Sequence, residues 1–159
     1  HARSAVEIGT GSGVGSLYLL SGMHPDGVLT TIDLEVENQR AAREAFTEAG
    51  IRSPRVRTIA GRPRDVVGRL TDHAYDLVSF PAHAPHALDL LEHARRLLRP
   101  GGVLVIPHAL YHDRVADPTA RDATTRAVRA LLKAIGESED LVAVLTGSGD
   151  GVLAAVLRG

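Results

Sequence analysis

Gly9-Thr10-Gly11-Ser12-Gly13 places three glycines at alternate positions. Glycine lets a backbone approach a ligand closely, and at the start of a helix it leaves free N–H groups to meet one. The dinucleotide fingerprint G-x-G-x-x-G needs a further glycine at 14 or 16, where the chain has Val14 and Ser16. A plain tight turn is the competing reading. Asp33 closes the next apolar run. An acid at that position in a doubly wound sheet accepts hydrogen bonds from ribose hydroxyls. Alone it reads as a solvated or capping residue, but with the glycines it outlines a nucleoside site.

A second group is made of histidines. Five of the eight fall within one stretch of thirty residues, and of these His83, His86, His108 and His112 are the candidates, with His93 read as a surface residue. Imidazole titrates near 6.5, so one of them could act as a general base. Several could bind a borderline metal such as zinc, or all could be ordinary loop residues. His108 and His112 have the H-x-x-x-H spacing, but Pro107 argues against a helix there. Lys133 is the only lysine, so no other residue can serve as a lysine base.

Those residues need elements to hold them. Ala5–Ile8 reads as a strand, Leu17–Met23 as a helix and Val28–Ile32 as a buried strand. Glu35–Ala49 is helical with Gly50 as its stop. Val56–Ala60 is the third strand, Arg64–Leu70 a short helix and Tyr75–Phe80 the fourth strand. Ala87, Leu88, Leu91, Ala94, Leu97 and Leu98 recur at helical spacing, Pro100-Gly101-Gly102 ends that helix, and Val103–Ile106 is the fifth strand. Thr119–Ile135 is the last helix, and Leu141–Leu145 and Val152–Leu157 are the last strands. Strict alternation predicts an α/β fold, a doubly wound and mostly parallel sheet with helices on both faces. The link between the last two strands is too short for a parallel crossover, so that pair is antiparallel.

Composition narrows the class. At 159 residues the chain reads as one domain, with 44% apolar and 23% charged residues. Net charge is −1, which gives no basic field for nucleic acid. Cysteine is absent, which excludes a disulfide frame, a Cys zinc site and a thiol nucleophile and fits a cytoplasmic protein. No apolar run reaches the roughly 18–20 residues of a membrane span.

The run Glu7-Ile8-Gly9-Thr10-Gly11-Ser12-Gly13 with Leu29-Thr30-Thr31-Ile32-Asp33 resembles motifs I and II of class I S-adenosylmethionine-dependent methyltransferases. More narrowly the chain resembles the bacterial catechol and caffeoyl-CoA O-methyltransferases. Further matches are Tyr75-Asp76-Leu77-Val78, Leu97-Leu98-Arg99-Pro100-Gly101-Gly102-Val103 and Gly149-Asp150-Gly151-Val152-Leu153. The resemblance spans nearly the whole chain. It implies a seven-stranded Rossmann-like sheet with the last strand inserted antiparallel, and N-terminal helices before motif I that cover the substrate and often build a homodimer. It implies S-adenosylmethionine as cofactor, with Gly9, Thr10, Gly11 and Gly13 along the methionine portion and Glu7 near it. Asp33 would hold the ribose with Leu34 beside it, and Gly61 and Arg62 would lie by the adenine. Pro63 and Arg64 stand where the family has a small polar pair.

At the active centre the chain departs from the family. Relatives carry an acidic metal ligand after strand four and an Asp-Asn pair after strand five, which bind magnesium and orient the acceptor hydroxyl. Here those positions read Pro81, Pro107 and His108, and the place of a catalytic lysine reads Ala84. His83 and His108 stand near the vacated position and are the candidate catalytic residues, with no metal expected. Tyr111 and Arg114 lie in a loop that resembles the family's substrate-side loop. The expectation is methyl transfer to an oxygen of a small molecule without the usual magnesium site. The alternative is a non-catalytic cofactor-binding homologue acting as a structural or regulatory partner. A nicotinamide oxidoreductase is disfavoured by the glycine spacing, and a nucleic-acid methylator by the lack of a basic stripe.

Overall fold

The computed structural model describes residues 1–159. The strands are β1 (Ser4–Ile8), β2 (Val28–Asp33), β3 (Val56–Ala60), β4 (Tyr75–Ser79), β5 (Leu98–Pro107), β6 (Leu141–Thr146) and β7 (Val152–Leu157). The helices are α1 (Val14–Gly22), α2 (Val36–Glu48), α3 (Pro63–Val67), α4 (Ala87–Leu97) and α5 (Ala123–Gly136), with a 3₁₀ turn at Ser53–Arg55. The strands form one sheet in the order β3-β2-β1-β4-β5-β7-β6. β1 to β5 pair in parallel, and β7 runs antiparallel between β5 and β6.

The central strands are apolar because helices cover them on both faces. Val6, Ile32, Val78, Phe80, Leu104 and Ile106 are fully buried in the main core, where they meet Leu91 and Leu97 of α4 and Leu131 and Ile135 of α5. Each such side chain contributes roughly 1.5–3 kcal/mol by leaving water. The strand order changes direction between β1 and β4. In open α/β sheets the crevice at that switch point, outside the carboxyl ends of the strands, is where ligands bind. The glycine turn follows β1, and the loop with His83 follows β4.

Four boundaries shift by three residues or more from the sequence reading, the first being α1, which begins at Val14 rather than Leu17. Pro100-Gly101-Gly102 does not separate α4 from β5. The strand begins at Leu98, opposite Tyr75, and bulges before Val103 pairs with Leu77. α5 begins at Ala123 rather than Thr119, because Asp117 turns back onto Thr119 (Thr119 N to Oδ1, 2.8 Å) and leaves Asp122 as the cap. Asp122 Oδ1 accepts the Thr125 amide at 2.9 Å. α3 is also shorter, Pro63–Val67 rather than Arg64–Leu70. No helix is long and apolar enough to cross a membrane.

Candidate active site

The site is built on the carboxyl ends of β1, β2, β4 and β5. Gly9, Gly11 and Gly13 all have positive φ, and the Gly9 amide donates to Ile32 O at 2.8 Å. A Cβ on Gly11 would meet nothing within 4 Å, so the loop opens there onto free space. A Cβ on Gly9 would sit 3.6 Å from the Pro81 ring, which places the end of β4 beside the loop.

Asp33 faces this space from the end of β2. Its Oδ2 accepts the Gly11 amide at 2.9 Å and its Oδ1 the Glu35 amide at 2.9 Å. The Asn38 amide straddles both oxygens at 3.2 and 3.3 Å. Leu34 next to it is 56% exposed, although it is a large apolar side chain. The Gly61 amide donates to Asp33 O at 2.9 Å, which brings the end of β3 to the same edge, and Arg62 is exposed beside it as the cap of α3.

Glu7 and Thr10 point inward. The Glu7 carboxylate is buried beneath the loop and accepts from Ser16 Oγ and from Thr31 Oγ1 (2.7 Å). A Cβ on Gly15 would come within 2.6 Å of its Oε1, so glycine there lets α1 pass close over the carboxylate without displacing it. The Thr10 and Thr31 hydroxyls lie 2.7 Å apart, and buried Gln39 donates to Thr10 at 3.0 Å. Because Thr31 gives its proton to Glu7, the order of donation is Gln39 to Thr10 to Thr31 to Glu7. Such a chain polarises in one direction, and each link strengthens the next. Desolvation raises the Glu7 pKa, and the two hydroxyl donors offset it only in part. Glu7 and Thr10 thus hold the loop from below, while backbone and Asp33 face the open side. Gln39, Asn38 and Ser16 were not singled out in the sequence, where they read as ordinary helix residues.

The histidines divide. His83 and His108 meet edge to face with ring centres 5.5 Å apart, and Tyr111 lies 5.8 Å from His83. His112 stacks on Tyr111 at 5.6 Å. Desolvation holds the His83 pKa below the usual imidazole value, with His108 and His112 adding to the effect against Asp150, so the ring is neutral at pH 7. Neutral imidazole offers a lone pair to a proton. His86 stands apart at the start of α4, 3.9 Å from Asp89. Arg114 is occupied by Asp122 at 2.6 Å. Asp150, from the β6–β7 turn, joins the cluster: its Oδ2 lies 3.1 Å from His108 Nδ1. The sequence signal for Asp150 was the antiparallel insertion of β7, which carries that turn to the end of β5.

Magnesium is implied by the resemblance, and the donors present do not fit it. Pro81 and Pro107 have no side-chain oxygen, and no three His, Asp or Glu side chains converge as a ligand set. A hard cation of this kind takes oxygen ligands.

Comparison with known proteins bears on the family and the fold. A family described as O-methyltransferase matches residues 1–158. A protein of Mycobacterium ulcerans assigned to the O-methyltransferases is 51% identical over 154 residues, covering 97% of this chain and 69% of its own length. The O-methyltransferase TomG of Streptomyces achromogenes, solved with S-adenosylmethionine, superposes with a TM-score of 0.85 at 30% identity, over 99% of this chain and 74% of its own. A structure from Staphylococcus aureus described as caffeoyl-CoA O-methyltransferase gives a TM-score of 0.88 over 98% of this chain and 76% of its own. At 20% identity it shows the shared fold. The chain belongs to the O-methyltransferase family.

Proposed function

We propose that the chain is an S-adenosylmethionine-dependent O-methyltransferase that acts on a small molecule, with the His83–His108 pair in place of a magnesium site. The observation that carries this reading is the open cradle at Gly11, flanked by Asp33 and exposed Leu34, in a chain matched to the family over residues 1–158. When bound, S-adenosylmethionine supplies an electrophilic methyl group on a sulfonium. The backbone at Gly9 and Gly11 lines one side of that ligand. Asp33 holds the ribose: its two long contacts with Asn38 are the ones a vicinal diol can take over, while the shorter bonds to Gly11 and Glu35 keep the carboxylate fixed. Leu34 covers the base with apolar surface, and Gly61 and Arg62 border it.

Aligning the acceptor oxygen with the methyl group supplies most of the catalysis, as a proximity effect. The acceptor proton must then leave without a metal to acidify it. His83 and His108 sit at the carboxyl edge of β4 and β5, next to the cofactor loop, and their ring nitrogens accept it. General bases of this kind contribute roughly 10²–10⁴-fold.

The test is calorimetric titration of S-adenosylhomocysteine. Micromolar binding that weakens about tenfold or more in Asp33→Ala is expected, since a hydrogen bond to a charged group is worth about 1.5–3 kcal/mol. Equal binding by the variant overturns the ribose assignment. Methyl transfer to a panel of phenolic and catecholic acceptors is expected to persist in excess chelator; transfer abolished by chelator and restored by magnesium overturns the metal-free reading.

A further inference from the structure

We propose that Asp150 is a positioning residue that fixes the tautomer of His108 and so presents His108 Nε2 as the proton-accepting atom. This rests on the reading of His108 as a base in metal-free methyl transfer.

The β6–β7 turn is clamped against the loop that follows β5. β7 pairs with β5 up to Pro107 and Val152. Beyond that pair the Ala109 amide donates to Gly151 O at 3.0 Å and the Leu110 amide to Asp150 O at 2.9 Å. The fit is tight: a Cβ on Gly151 would come within 2.5 Å of the Leu110 side chain. Asp150 is therefore placed by backbone bonds before its side chain makes any contact.

Its carboxylate then does two things. Oδ1 accepts the His112 amide at 2.6 Å, and Oδ2 faces His108 Nδ1 at 3.1 Å and His112 Nδ1 at 3.8 Å. Desolvation pushes the Asp150 pKa up, but the His112 amide and the two imidazoles outweigh it and hold it below the usual carboxylate range. An ionised carboxylate only accepts. His108 must then carry its proton on Nδ1, which leaves the lone pair on Nε2, an atom with no other partner. A carboxylate that sets tautomer and orientation in this way is the third member of the hydrolase triads.

The loop conformation gives independent support. His108, Tyr111, His112 and Asp113 all have positive φ, and none is glycine. Each such residue costs roughly 1–2 kcal/mol, and strained backbone of this kind persists where surrounding bonds over-determine it. The Asp150 side chain ties two of the four, His108 and His112, and in this loop the His108 and Tyr111 rings lie 5.5 and 5.8 Å from His83.

The test reads the tautomer directly, by NMR of ¹⁵N-histidine-labelled protein at pH 8, with His108→Gln to assign the signal. The expected result is an Nδ1–H tautomer for His108. Asp150→Asn keeps an oxygen for the His112 amide but can donate its amide to Nδ1, so His108 should switch to Nε2–H. Affinity for S-adenosylhomocysteine should change by less than about threefold, and kcat for any methylated acceptor should fall about tenfold or more with little change in KM. His108 already in the Nε2–H form, or unmoved by Asp150→Asn, overturns the positioning role whether or not His108 is the base. A switched tautomer in a protein whose His108→Gln variant keeps full methyl transfer overturns the role in catalysis at its other end, the base itself.

Discussion

Gly11 and Gly13 stand two residues apart on one loop and do different work. A Cβ on Gly13 would lie 3.1 Å from Ala42 and from Phe46, at a φ of 90°. That glycine lets the loop pack against α2. Gly13→Ala is therefore expected to destabilise the fold by about 1–3 kcal/mol, from overpacking on top of backbone strain. Gly11 has a φ of 51° with nothing within 4 Å, so Gly11→Ala has the backbone cost alone, about 1 kcal/mol. On the proposed reading of the site, its methyl group would occupy space that the cofactor needs. The expected outcome is a small shift in the urea midpoint for Gly11→Ala with an affinity for S-adenosylhomocysteine at least about tenfold weaker. Unchanged affinity would show that the ligand lies elsewhere. The two variants together separate a glycine kept for packing from one kept for binding.

At the scale of elements, the polar chain under the glycine loop joins four of them. Gln39 is on α2, Thr31 on β2, Glu7 on β1 and Ser16 on α1. Thr31→Val keeps the shape but removes the hydroxyl that donates to Glu7. A buried carboxylate that loses a donor costs about 1–3 kcal/mol. The expected loss of stability is larger at pH 8 than at pH 4, where Glu7 takes up a proton and no longer needs the donor. Equal loss at both pH values would mean that the hydroxyl matters as the acceptor of Thr10 and not as the donor to Glu7.

This chain of contacts also marks what the sequence could and could not disclose. Strand and helix identities followed from period and glycine placement, and the antiparallel end from a link too short to cross over. The glycine loop and Asp33 are legible as local runs of residue type, whereas the missing oxygen ligands are legible only against the pattern of the family the chain resembles. Long-range pairings were not. Asp150 is 42 positions from His108 and meets it only because β7 inserts beside β5. Glu7 carries the right residue type for a ligand contact, but its orientation depends on Ser16 and Thr31 from other elements. The starts of β5 and α5 shifted because a bulge and an Asx turn continue the chain where proline and glycine suggested a break and a helix.

Across the whole molecule, 19 acidic residues balance 18 basic ones at neutral pH, with 8 histidines held in reserve. The acids are placed unevenly in energy. Burial pushes Asp76 up, but Arg99 and the Arg3 and Ser4 amides bring it below the usual range. Asp122 is held well below that range by Thr125 and Arg114, and Asp117 is lowered by Thr119. Groups with lowered values contribute stability that is present above their unfolded pKa of about 3.9 and lost as pH falls through the folded values. Glu7 has the opposite sign. Its contribution is present below its unfolded value of about 4.3 and is lost as pH rises through its raised folded value. The urea midpoint is therefore expected to fall from about pH 5 to about pH 3, as the aspartates protonate and the basic residues repel one another unopposed. Asp122→Asn should flatten that acid limb. Glu7→Gln should leave the acid limb in place and remove the smaller decline that accompanies ionisation of Glu7 on the higher-pH side. A midpoint that does not change between pH 5 and pH 3 would mean that these aspartates are no better placed in the folded chain than in the unfolded one. The caps and strand-end contacts at Asp76 and Asp122 would then add nothing to the stability of the sheet that carries the site.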